Sequence, residues 1–100
     1  MIRGTTPTVK FWLPCDVALL KNVFISFSQN KNVLINYTLK DCSVEGNIVI
    51  VKMSQEETLR LRDRYPLEIQ VRAITNADEA IASNIVTTSV DRILYDGVIQ

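Results

Sequence analysis

The sequence predicts an all-β domain, an antiparallel immunoglobulin-like sandwich of six or seven strands with one short helix before its central strand. Three observations carry this. Residues 67–74 (LEIQVRAI) place Leu67, Ile69, Val71 and Ala73 on one parity and Glu68, Gln70 and Arg72 on the other, the period of a strand with one dry and one wet face. Two further alternating runs, 22–28 and 33–39, flank the polar turn Gln29-Asn30-Lys31-Asn32, which is a hairpin signal. Turn signals recur about every ten residues and only one segment reads as helix, whereas an α/β fold needs repeated helices.

In chain order, Met1–Pro7 has little to bury and reads as a lead-in, loose or laid along a partner. Thr8–Leu13 alternates, with Val9, Phe11 and Leu13 inward, and Pro14 stops it. Trp12 falls on the otherwise polar face, so either a second element covers it or it is an exposed contact residue. Asp16–Leu20 is a connector with room for one helical turn capped by Asp16. In the hairpin, Val23, Ile25 and Phe27 face inward, as do Val33, Ile35, Tyr37 and Leu39 of its second strand. Asp41–Asn47 is a turn in which Gly46 and Asn47 suit positive φ. Ile48–Met53 is apolar on both parities, which predicts a strand covered on both sides. Ser54-Gln55-Glu56-Glu57 is a capping box opening a helix to about Arg62, with Leu59 inward. Tyr65-Pro66 ends that helix and leads into the central strand. After a turn at 75–79, residues 80–90 return as a strand with a bulge at Ser83-Asn84.

One hundred residues with 47% hydrophobic content make one domain, spanning residues 1–100, with a single core. Lys plus Arg balances Asp plus Glu at 11 each, so no long-range attraction to nucleic acid or an anionic membrane is built in. Arg60, Arg62 and Arg64 are interleaved with acids at Glu56, Glu57 and Asp63 and read as a solvated, self-neutralising face. No apolar run approaches the roughly 20 residues of a membrane span. No leader-like apolar stretch follows Met1, which predicts synthesis in the cytoplasm.

Catalysis is poorly served. The chain has no histidine, the commonest general base, and no nucleophile elbow or SxxK pattern. Glu56/Glu57 belong to a helix N-terminus, where negative charge is structurally favourable, and Asp78/Glu79 sit in a turn. The expectation is a protein that is not an enzyme and holds no metal or other cofactor. Cys15 and Cys42 lack CxxC spacing and read as two small buried thiols, with one disulfide as the alternative. Trp12, Tyr65 and Tyr95 offer rings for a carbohydrate-binding module, but they are scattered in sequence. Ile93, Leu94, Tyr95, Val98 and Ile99 form an apolar end on a chain whose core is already filled. Either this stretch adds a last edge strand, or, with Trp12, it docks on another subunit.

Several stretches are familiar together: MIRGTTPT at 1–8, Leu13-Pro14 followed by Asp16, SQEETL at 54–59, IQVR at 69–72, ASNI at 82–85, Arg92-Ile93-Leu94, and DGVI at 96–99. Across nearly the whole chain the sequence resembles a family of small proteins encoded among tail and baseplate genes of prophages in Gram-positive and gut bacteria. It is also distantly similar to the N-terminal immunoglobulin-like domain of siphophage upper baseplate proteins, without their receptor-binding extension. The shared motifs are structural and carry no catalytic residues. The resemblance implies a structural or adaptor subunit of a phage tail tip or baseplate. Its partners would be other tail proteins or further copies of itself, and its destination an assembled virion tail.

Overall fold

The computed structural model describes residues 1–100 as two antiparallel sheets packed face to face, with one short helix crossing between them. The all-β sandwich expected from the alternation is present. It has eight strands, because short pairings at Ser43–Glu45 and within residues 80–90 are too brief to show a period.

The first sheet has the order β1-β5-β4, formed by Thr8–Trp12, Ile48–Lys52 and Ser43–Glu45. The second contains β3 (Asn32–Thr38), β2 (Leu20–Gln29) and β6 (Leu67–Thr75) in that order. The far side of β6 is shared by β7 (Ala80–Ala82) and β8 (Val86–Thr88), which pair with its two ends. Val23, Ile25 and Phe27 of β2 are fully enclosed, and Val49 and Val51 of β5 meet them from the opposite sheet. Outward on β5, Ile48 and Ile50 are only half-buried, so that strand is covered fully on one side and partly on the other.

The hairpin turn is tighter than its four polar residues suggest. Gln29 pairs with Asn32, and the two residues between, Asn30 and Lys31, both have positive φ (49° and 66°), the arrangement that matches strand twist in a two-residue hairpin. A bulge then shifts the register between Ile35 and Val33. It reverses the facing of the strand end, and Val33, expected inside, is 61% exposed.

Asp16 caps a single 3₁₀ turn at 17–19, its carboxylate accepting from Ala18 N at 2.9 Å. Ser54 and Glu57 form both hydrogen bonds of the capping box. The helix, α1, is shorter than expected, Gln55–Leu59, and its anchors are Thr58 and Leu61, both fully buried, while Leu59 is half-buried. Gly46 takes positive φ, and Asn47 does not.

Gln29 continues the inward parity of β2 and is 2% exposed. Its amide donates to Arg62 O (2.6 Å) and Tyr65 O (2.9 Å) and accepts from Arg62 N (2.7 Å), fixing the loop between α1 and β6. Residues 1–3 are not loose. They lie parallel to 89–91, with Asp91 N donating to Met1 O at 2.7 Å and Arg3 N to Asp91 O at 3.1 Å. The Arg3 guanidinium donates to Leu59 O and Leu61 O, carbonyls that the end of α1 leaves without helical partners, and to Asp96 Oδ1 at 3.0 Å.

Candidate functional site

The two sheets do not cover one another completely. Beyond β1 the first sheet stops, while the second continues through β6 to β7 and β8. The mismatch leaves an open cleft of about 600 Å³ between the layers. Val9, Phe11 and Leu13 form one wall, and Ile69, Val71, Ile81 and Val86 are on the other. Ten of its thirteen lining residues are hydrophobic, and Lys10 is the sole titratable one. Val9 and Phe11 are consequently half-buried instead of enclosed, and Ile69 and Val71 keep 9% and 6% exposure although β6 is central.

β1 borders this cleft with a free backbone edge. Leu13 N donates to Asn47 O and Met53 N to Pro7 O, so the odd-numbered residues of β1 bond towards β5. By the alternation of an antiparallel ladder, the N–H and C=O groups of Thr8, Lys10 and Trp12 point the other way. All three residues are exposed. The other sheet edges are blunted. β4 has three residues, β3 is bulged, and the β7–β8 edge is interrupted at 83–85. At that interruption the Ser83 hydroxyl accepts from Val71 N at 3.0 Å, and Ser83 N donates to Val71 O at 2.8 Å. The bulge anticipated at Ser83-Asn84 is thus a break into two short strands. β1 is regular over its five residues and has a proline on each flank, Pro7 and Pro14.

Trp12 lies on the cleft rim at 67% exposure, and no second element covers it. The apolar end forms no strand. Leu94 (91%), Tyr95 (73%), Val98 and Ile99 are exposed, and Ile93 is half-buried against Gly4. This stretch is held by the Arg3–Asp96 ion pair and by the Gln55 side chain, which exchanges two hydrogen bonds with the Ile99 backbone (2.9 and 3.0 Å). Trp12 and residues 93–99 are therefore separate exposed apolar elements of one chain.

The three rings considered for sugar stacking share no cleft. Trp12 is at the interlayer opening, Tyr65 lines a depression with Pro66 and Ser89, and Tyr95 is on the terminal stretch. Arg60, Arg62 and Arg64 are exposed and line a shallow polar depression with Arg3, Asp63 and Asp96. Cys15 and Cys42 are unpaired, half-buried thiols.

The groups with shifted titration lie at the β3 flank, away from the cleft. Burial, and then the Glu57 carboxylate, push the Tyr37 phenol upward; its buried hydroxyl has no hydrogen-bond partner. Burial, and then Asp41, raise the Cys42 thiol. Hydrogen bonds from Thr38 lower the Asp41 carboxyl. No cluster of three or more His, Cys, Asp or Glu side chains forms a metal-ligand set. No helix is long and apolar enough to cross a membrane.

No family model, curated protein or solved structure matches this chain. The cleft itself escaped sequence reasoning. Its signal was the inward parity of Val9, Phe11 and Leu13 next to a return segment, 80–90, with no strand assigned to cover it.

Proposed function

We propose that this protein is a structural or adaptor subunit that works through protein–protein contacts, and that its setting is a phage tail tip or baseplate. The observation that carries the contact role is the conjunction of a free strand edge at Thr8–Trp12 with an apolar cleft beside it. A partner's extended segment gains both main-chain hydrogen bonds and side-chain burial at such a place. The cleft offers no polar constellation to orient a small substrate, only Lys10 and Ser83 among apolar walls. The phage setting rests on the sequence resemblance and is the part to test in particles. Antibody labelling of purified phage from the producing host, viewed by electron microscopy, should mark the tail tip. Intact particles that lack the protein would refute the assignment. A glycan array should give no hits; glycan binding abolished by Trp12→Ala would establish a carbohydrate-binding module in its place.

A further inference from the structure

We propose that residues 93–100 of one copy add to β1 of a second copy as an antiparallel strand, extending the three-stranded sheet and roofing the cleft. This rests on the reading of the cleft as a protein-docking site and names its occupant. The free groups of Thr8, Lys10 and Trp12 require a strand, and the apolar wall beside them requires alternate apolar side chains. Residues 93–99 supply both. They belong to no sheet, are exposed apart from the half-buried Ile93 and Gly97, and carry Ile93, Tyr95 and Ile99 on one parity with Gly97 between.

Charge selects the register. Lys10 is the one charged residue of β1, and Asp96 the one charged residue of 93–100. Setting Asp96 opposite Lys10 puts Leu94 beside Trp12 and Val98 beside Thr8 on the outer face. On the inner face Tyr95 then meets Phe11, Ile93 meets Leu13, and Gly97 meets Val9. Opposed charges and aromatic or β-branched neighbours are the favourable cross-strand pairs. The whole chain has zero formal net charge, so copies do not repel. Release of residues 93–100 gives up the half-buried packing of Ile93, which Leu13 of the second copy replaces, while the polar ties are weak: the Asp96 partner of the Arg3 ion pair is 67% exposed, and the Gln55–Ile99 bonds are exposed. Donation from copy to copy is head-to-tail, so the assembly is a ring where the rotation closes and a filament where it does not.

The test uses full-length Lys10→Glu and Asp96→Lys, alone, mixed, and combined in one chain, followed by sedimentation equilibrium. Trp12 is the single tryptophan, so its emission also reports strand seating. Wild type should associate with rising concentration, with a parallel blue shift. Each single variant should weaken association about fivefold. Their equimolar mixture should recover a mixed complex, and the double variant should recover self-association. Asp96→Lys also breaks the Arg3 ion pair, but that loss cannot produce recovery specific to the mixture. A wild type that stays monomeric, a mixture that does not recover, or a blue shift independent of concentration, which marks seating within one chain, overturns the proposal. If self-association is absent while an extended segment of a tail protein still shifts Trp12 emission, self-donation falls and the docking role stands.

Discussion

Replacing Gln29 isolates one buried polar contact and predicts a pH signature. Gln29→Leu keeps the volume close and removes the hydrogen bonds to Arg62 N, Arg62 O and Tyr65 O. A lost hydrogen bond costs about 1 kcal/mol net, and a buried group left unpaired costs about 1–3 kcal/mol. Arg62 and Tyr65 are themselves exposed, so water recovers part of the loss, and the expected total is about 2–4 kcal/mol. For a domain of this size that lowers the melting temperature by about 10–20 °C. Gln29→Glu is the sharper variant. One carboxyl oxygen can still accept from Arg62 N, but the other faces two carbonyl oxygens, repels both when ionised and donates to one of them when protonated. The folded state therefore raises the pKa of the introduced acid above its unfolded value. Folded protein then holds a proton that unfolded protein has released, so stability is retained below about pH 4 and falls as pH rises beyond it. Thermal unfolding of both variants from pH 4 to pH 8 reads this out. A Gln29→Glu curve parallel to wild type, or a Gln29→Leu cost below about 1 kcal/mol, would refute the pinning of this loop by Gln29.

Three other outcomes follow from the same packing. Gly4 has φ +72°, and a Cβ there would meet Ile93 Cδ1 at 2.9 Å, so Gly4→Ala should cost about 1–3 kcal/mol in denaturant unfolding. Ile25→Ala, in an enclosed site, should cost about 3–4 kcal/mol, and Ile69→Ala, on the cleft wall, about 1 kcal/mol less; equal costs would mean that the cleft is closed in solution. Tyr37 is held neutral beyond its ordinary value of 10.0, so stability should decline as pH rises above about 10, and Tyr37→Phe should remove that decline at no cost near neutrality.

Where burial is one-sided and continuous, the sequence was a sufficient guide. The parities of β2 and β6 follow the enclosed residues Val23, Ile25, Phe27 and Leu67, and the capping box at Ser54 forms as written. Legibility failed where geometry departs from period two. The bulge that exposes Val33 is a local insertion with no compositional mark, and β4, β7 and β8 have three residues each, less than two full alternations. Arg3 looked like part of a loose lead-in because its partners, the carbonyls after α1 and Asp96, are distant in sequence. Gln29 carried a readable sign, a polar residue on an inward parity. Of the apolar surface, Trp12 and residues 93–99 were visible as surplus, but the cleft was not, because a missing strand leaves no residue to notice.

Lys10 has two consequences for the exposed edge. An unblocked strand beside an apolar cleft pairs with any extended chain, and edge lysines are a common defence because a poorly matched partner must bury or oppose the charge. At the middle of β1, Lys10 disfavours apolar and basic strands and favours one with an acid at the matching position. Specificity then comes from penalising wrong strands as well as rewarding the right one. Lys10→Val should therefore not abolish association but broaden it. The variant gains β-propensity, loses its discrimination, and should aggregate with rising concentration even after residues 93–100 are removed. The same deletion in the wild-type background should leave a monomer. Static light scattering across a concentration series on the four chains separates these outcomes. If Lys10→Val lacking residues 93–100 stays monomeric throughout, the β1 edge is not an open template and Lys10 is not its guard.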